Sequence, residues 1–207
     1  MDSELRDFLA RFIFESDAIE GISNDQEFLR RQLEKKHPTG HVGAFLTLEK
    51  SVGKPGVKIN RRLVCQIQGL ITAEQHLKPG ADYLPREFVG KYRLVDVSIA
   101  GRIAPDCSLV PGLMDNWLNG VNAIFKLPDS VGTKELIGLV ARAHFDYEFI
   151  HPFADGNGRS GRALVYFMLR RLGLKPFVFT AHDRSQTYYQ CFDNPKAMVR
   201  YFLERSL

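Results

Sequence analysis

The sequence predicts a mainly α-helical protein carrying one short β-hairpin. Apolar residues recur at helical spacing along most of the chain, only one segment alternates with the period of a strand, and glycine and proline gather between the periodic stretches. The 207 residues are 44% apolar and 25% charged, a balance that supports one buried core of ordinary size and excludes disordered, collagen-like and low-complexity classes. Leu5, Phe8, Leu9 and Phe12 open the first helical stripe, and Leu63, Val64, Ile67, Leu70 and Ile71 form a second. Met114, Trp117, Leu118, Val121 and Phe125 make a third, and Leu136, Leu139, Val140, Ala143 and Tyr147 a fourth. Leu164, Phe167, Met168 and Leu172 follow, with Gly173 placed to stop that helix. A last helix is capped by Asn194, has Pro195 at its first position, and buries Met198, Val199 and Phe202.

Between Arg93 and Ile99 the pattern changes. Val95, Val97 and Ile99 alternate with Asp96, Ser98 and Ala100, the period of a half-exposed strand. Gly101 offers a turn and Pro105 limits any return strand, so a short hairpin on a helical body is expected. The Gly/Pro-rich pieces Gly53 to Gly56 and Lys78 to Ala81 read as loops within one domain.

Composition narrows the function classes. The longest apolar run, Ala163 to Leu169, falls far short of the roughly 20 residues of a membrane span. Met1-Asp2-Ser3-Glu4 lacks the basic, then apolar, start of a secretory signal. Cys65, Cys107 and Cys191 form no CxxC pair and no disulfide framework, so the expected setting is cytoplasmic. The net charge of +4 comes from scattered basic residues, which suits a polyanionic small molecule better than nucleic acid. His37 and His41 are four apart, but Pro38 and Gly40 spoil a helix between them and no partner follows at zinc-ligand spacing.

The chemistry lies in His151-Pro152-Phe153-Ala154-Asp155-Gly156-Asn157-Gly158-Arg159-Ser160-Gly161-Arg162. This stretch joins two helical stripes, so its loop ends at a helix N-terminus. Gly156 and Gly158 tolerate positive φ and let backbone N–H groups converge into an anion-binding nest. The helix start adds free donors and a positive dipole end. Arg159 and Arg162, three apart, can share neighbouring phosphates. Asp155 is a hard oxygen ligand suited to Mg²⁺, and His151 can take a proton near neutral pH. The string Gly156-x-Gly158-x-x-Gly161 also spells the dinucleotide fingerprint, with Asp183 near the distance of its acidic partner. That reading needs a preceding strand and a βαβ unit, and the segment before it is helix-periodic.

The same residues match the signature of the Fic (filamentation induced by cAMP) family, His-x-Phe-x-Asp/Glu-Gly-Asn-Gly-Arg-x-x-Arg, at every specified position. The chain also resembles the family in its helical core, upstream hairpin flap and downstream tyrosines, while the region from about Gln26 to Gly56 carries no matching residues. The resemblance implies a single Fic domain over 1–207, with 1–25 carrying an inhibitory helix and about 57–207 the core. It implies transfer of AMP from Mg²⁺-bound ATP to a Ser, Thr or Tyr hydroxyl of a target protein, with release of pyrophosphate.

On that resemblance, His151 is the general base and Asp155 holds Mg²⁺. Gly156, Asn157, Gly158 and Gly161 belong to the nucleotide cradle, Arg159 meets the β-phosphate and Arg162 the γ-phosphate. Phe153 anchors the loop in the core. Family branches that move phosphate or phosphocholine deviate within or near this motif, notably where Lys replaces the glycine before the first arginine. Gly158 is intact here, which favours an adenylyl donor. Val95, Asp96, Val97, Ser98 and Ile99 resemble the flap that docks the target segment as an added strand. Tyr188 and Tyr189 resemble the tyrosine pair near the adenine pocket.

A second motif stands near the start. In Ser16-Asp17-Ala18-Ile19-Glu20-Gly21, Ser16 and Glu20 share a helical face and Gly21 can end the helix. Beside a Fic motif it resembles the family's inhibitory Ser/Thr-x-x-x-Glu-Gly/Asn, whose glutamate pairs with the second arginine and takes the place of the γ-phosphate. Here that pair is Glu20 with Arg162. The implied activity is therefore an autoinhibited protein adenylyltransferase. Removal of AMP through the same site, and nucleotide binding without transfer, are the alternatives.

Overall fold

The computed structural model describes residues 1–54, 56–77, 83–99 and 101–206. Helix α1 (Ser3–Ile19) is followed by α2 (Gln26–Leu33), α3 (Gly40–Val52) and α4 (Arg61–Thr72). Strands β1 (Ser98–Ile99) and β2 (Arg102–Ile103) precede α5 (Val110–Ile124), α6 (Thr133–Ile150), α7 (Asn157–Arg171) and α8 (Pro195–Ser206). Each helical stripe read from the sequence lies on one of these helices, with Phe125 and Leu172 as the C-caps of α5 and α7. Helices α2 and α3 occupy the stretch for which the sequence offered no match. The loop read at Lys78 to Ala81 lies outside the described residues, as does Pro55 within the Gly53 to Gly56 piece.

Local chemistry sets the helix ends. Asp2 and Asn60 cap α1 and α4 by accepting from the N–H groups of Leu5 at 2.7 Å and Leu63 at 2.9 Å. Gly173, at φ 70°, closes α7. Its N–H donates to the Arg170 carbonyl and that of Leu174 to the Leu169 carbonyl, the paired bonds of a glycine-terminated helix. The end of α1 repeats the device. Gly21 sits at φ 75°, its N–H donates to Ala18, and the N–H of Ile22 donates to Asp17. Glu20 is thereby fixed as the last residue before the turn.

Helix α7 is the centre of the molecule. From Ala163 to Leu169 every residue is buried, so the longest apolar run is a helix covered on all sides rather than a membrane segment. It packs against α6, α4, α3 and α1. Among the described residues no helix is long and apolar enough to cross a membrane. A second layer of aromatic side chains packs on His144 of α6: Phe179, Tyr188, Phe192 and Phe202 touch its ring, and Phe177 and Tyr201 pack on Phe179 behind them.

The hairpin is shorter than the alternation predicts. Among the described residues, strand pairing joins Ser98 with Ile103 and Ile99 with Arg102. Leu94 and Val95 are exposed, outside any strand. The cause is Arg93, whose buried guanidinium donates to the carbonyls of Val95, Ile150 and Pro105 and, through Nε, to that of His151 at 2.8 Å. Those bonds tie the stretch from Arg93 to Val95 to the loop after α6, while the Val97 carbonyl still accepts from the Ala104 N–H at 3.0 Å beside the paired strands.

Candidate active site

The loop between α6 and α7 is held from all sides. His151 ends α6 in the left-handed region at φ 49°, ψ 63°, and among the described residues it is the one non-glycine with positive φ. Such a conformation costs a β-carbon residue about 1–2 kcal/mol, and Arg93 holds it through the His151 carbonyl. The N–H of Arg93 also donates to the Pro152 carbonyl at 2.9 Å. Phe153 is fully buried against the Tyr92 ring, 5.5 Å between centroids, the anchor that the sequence predicts. Asn157 closes the loop: its Oδ1 accepts from the Phe153 N–H and its Nδ2 donates to the Phe153 carbonyl, both at 2.9 Å. From α4, the Gln68 amide donates to the Asp155 carbonyl at 2.9 Å and accepts from the Gly90 N–H at 2.7 Å.

The glycines do different work. Gly156 sits at φ 77° as the N-cap of α7, where a β-carbon would also press on Thr72 Cγ2 at 2.7 Å. Gly158, expected to supply a second positive φ, is instead helical, because α7 already begins at Asn157. What it supplies is space, since a β-carbon there would overlap the Glu20 carboxylate. Gly161 faces α6, where a β-carbon would overlap the Glu148 carboxyl, and lies away from the nest.

The two arginines diverge. Arg162, 1% exposed, donates through Nε to Ser16 Oγ at 2.9 Å, and through Nη2 to the Ser16 carbonyl at 2.9 Å and Glu20 Oε1 at 2.7 Å. Burial opposes its charge, but the Glu20 carboxylate more than offsets this and keeps the guanidinium protonated. Arg159 turns toward Asp155 Oδ2 at 3.2 Å and Gln75 Oε1 at 3.5 Å. Gln75 also donates to Asp155, so the carboxylate of Asp155 is aimed by two side chains while staying half exposed.

A cleft of about 580 Å³ opens beneath the hairpin, within the usual range for small-molecule sites. Ser98 and Ile99 of the flap, Glu20, Glu148, His151, Gly158, Arg162, Tyr188 and Tyr189 are among its lining residues. Burial sets the protonation of its groups. It pushes the His151 imidazole down to about 4 and the Glu148 carboxyl up to about 8. Tyr188 is buried with its hydroxyl 2.8 Å from His144 Nε2 and its ring 6.0 Å from the Arg162 guanidinium. Tyr189 stays partly exposed, with the Arg184 guanidinium 5.3 Å from its ring.

Of the residues singled out from sequence, His151, Gly158, Arg162, Glu20, Tyr188, Tyr189, Ser98 and Ile99 meet in this cleft. Asp155, Arg159, Asn157 and Gly161 lie outside its lining, and Val95 and Asp96 are exposed at the base of the hairpin. Asp96, Asp106 and Cys107 bring three ligand atoms within 4.8 Å, but Asp96 and Asp106 accept from backbone N–H groups there and build a turn. His41 lies on α3 and pairs with Asp17 at 2.9 Å, apart from His37. Sequence reasoning missed Gln68, Gln75, Arg93, His144 and Glu148. Gln68 and His144 did leave a signal, as polar residues on the buried face of an apolar stripe.

Comparison with known proteins then decides the family. The Fic/DOC family model matches residues 58–169, more than half of the chain. The chain belongs to the Fic/DOC family. Two solved Fic structures share its fold. A Fic domain containing signaling protein from Bacteroides thetaiotaomicron superposes with a TM-score of 0.75 at 19% identity, covering 97% of this chain and 84% of that one. Fic-1 from C. elegans gives 0.72 at 21% identity, covering 98% and 61%. Among curated proteins, the protein adenylyltransferase Fic of Drosophila erecta is 32% identical over 103 residues, and that of Culex quinquefasciatus 31% over 102. Each match covers 48% of this chain and 19% of the relative, so this Fic chain spans about a fifth of the length of those relatives.

Proposed function

We propose that this chain is a protein adenylyltransferase whose first helix holds it in check. The observation that carries the reading is the convergence of His151, the start of α7 and Arg162 on one cleft beneath a hairpin. The triphosphate of ATP lies along the N-terminus of α7, where free N–H groups and the helix dipole favour anions. Arg162, a buried and permanently charged donor, takes the terminal phosphate. The His151 imidazole, kept neutral by burial, accepts the proton of the incoming Ser, Thr or Tyr hydroxyl. The hydroxyl oxygen bonds to the α-phosphorus as the bond to pyrophosphate breaks. Positioning and charge stabilisation supply most of the rate.

Asp155 fits a magnesium ion. It is a half-exposed hard carboxylate aimed by Arg159 and Gln75, and magnesium asks for one or two such ligands with phosphates and water for the rest. When bound, the ion neutralises phosphate charge. Arg159 acts on the phosphates through this aimed carboxylate. Tyr189 offers an exposed ring face to the base, while the hydroxyl of Tyr188 is committed to His144. The target segment lies along Ser98–Ile99 as an added strand, and the setting is cytoplasmic. Residues 1–25 form the brake and about 57–207 the catalytic core.

The brake is the contact already formed. Glu20 occupies Arg162 from the side facing the cleft, and the γ-phosphate needs the same donors. A charge-assisted bond of this kind is worth about 1.5–3 kcal/mol, enough to depress productive ATP binding about 10-fold or more. Labelling with ATP carrying ³²P at the α- or the γ-position tests the reaction. Glu20→Gly protein should incorporate the α-label and not the γ-label, and His151→Ala in that background should lose incorporation while still binding ATP. Release of AMP from an already modified protein would favour the reverse reaction, and binding without labelling a regulatory module.

A further inference from the structure

Glu148 has no role in the reaction as described, yet it is a buried carboxyl in the wall of the cleft. Its Oε1 is buried without a hydrogen-bond partner, an arrangement that costs stability unless something else uses the group. The opposing residue is Gly161, and any larger side chain there would overlap that same oxygen. One turn on stands His151, whose left-handed backbone swings the ring back over the last turn of α6. Its Nδ1 is also buried without a hydrogen-bond partner and lies 3.9 Å from Glu148 Oε2. A buried, unpartnered nitrogen thus stands 3.9 Å from one oxygen of a carboxyl whose other oxygen is also buried and unpartnered.

We propose that Glu148 is the positioning residue of the His151 base, closing on Nδ1 in the working enzyme to accept its proton and hold the ring with Nε2 free. The proposal rests on the reading of His151 as base. Catalytic hydrogen bonds are often long in unliganded sites and tighten with substrate bound. The proton count follows from the tautomer. With Glu148 ionised, Nδ1 carries the ring proton and Nε2 can take the hydroxyl proton, giving an imidazolium beside a carboxylate. With Glu148 protonated and donating to Nδ1, the ring proton moves to Nε2 and the ring cannot act as base. One proton lost from the pair therefore switches the base on.

The groups facing this pair are Tyr147 on α6, Arg162 from α7, Glu20 from the end of α1, Tyr188 from the turn before α8, and Arg93 and Asp155 around the loop. Arg162 favours the ionised carboxyl and Glu20 opposes it. The Glu148 main-chain carbonyl also favours the protonated ring, and it is the competing explanation of how the imidazole is held.

The test is carried out in the Glu20→Gly background by following incorporation of α-labelled ATP against pH. Glu148→Gln, which keeps shape and hydrogen-bond acceptance but no charge, should lower kcat at least about 10-fold while leaving KM for ATP within about two-fold. Its acid limb should shift by about a unit or more toward lower pH, because an imidazole alone replaces the coupled pair. Glu148→Asp should recover part of the rate. A Glu148→Gln profile that overlays the parent, with His151→Ala inactive, overturns the positioning role and leaves the base intact. Activity in His151→Ala overturns the base itself. ¹⁵N-histidine NMR of the unsubstituted protein reads the same point without a variant. Above the limb, His151 should carry its proton on Nδ1, and a proton on Nε2 there contradicts the proposal.

Discussion

Asn157 carries two backbone groups that nothing else satisfies. Its amide pairs with both the N–H and the carbonyl of Phe153, and the whole assembly is buried. Asn157→Ala leaves a buried donor and a buried acceptor without partners, each costing about 1–3 kcal/mol. We expect a loss of about 2–4 kcal/mol in urea unfolding, with the loop disordered before the rest of the fold. A loss under about 0.5 kcal/mol would mean that the loop keeps its shape without the amide. The sequence reading gave Asn157 to the phosphates. The inward turn of its side chain depends on the curl of a loop that local spacing does not encode. Phe153 and His151 were legible because one apolar and one titratable residue flank a glycine-rich turn. Glu148 was not, since its meaning lies in the left-handed turn that brings His151 back onto it.

At the level of the element, the end of α1 was legible and the approach to the hairpin was not. Ser16 and Glu20 are one turn apart with a glycine next, a pattern that local geometry alone converts into two ligands on one face. The segment from Arg93 to Val97 alternates just as clearly, but a buried arginine bonding four carbonyls overrides its strand preference. The geometry of α1 separates its two contacts with Arg162. Ser16→Ala removes the acceptor of Nε and leaves the Ser16 carbonyl and Glu20 in place. We expect partial release, with label transfer a few-fold above the parent and well below that of Glu20→Gly. Equal rates in the two variants would show that Ser16, rather than the carboxylate, sets the hold on Arg162.

Over the whole molecule the stripes predicted six helices correctly because each buries one long apolar face against α7 or its neighbours. Helices α2 and α3 were unread. The first is eight residues long and mostly polar, and the second starts on Gly40 after Pro38, where sequence signals argue for a break. Buried titratable groups give the fold a pH signature. Burial holds His144 near 3 and His151 near 4, against 6.5 for the free side chain. Below pH 6.5 the unfolded chain binds two protons that the native state refuses, so stability falls as pH drops. Glu148 is raised from 4.5 to about 8, so between those values only the unfolded carboxyl ionises and stability falls as pH rises. The histidines outweigh it up to 6.5, and the melting temperature should peak near there. Glu148→Gln should remove the decline between about 6.5 and 8 that this carboxyl causes. A decline unchanged by that substitution would assign it elsewhere.

The central claim of the account is that one guanidinium serves the brake at rest and the nucleotide at work. A double-mutant cycle on kcat/KM for ATP, using the parent, Glu20→Gly, Arg162→Ala and the double variant, measures it directly. The account predicts strong activation by Glu20→Gly, and near-complete loss of that gain when Arg162 is also removed, a non-additive result. A double variant as fast as Glu20→Gly alone would contradict both the phosphate role of Arg162 and the meaning given to its contact with Glu20.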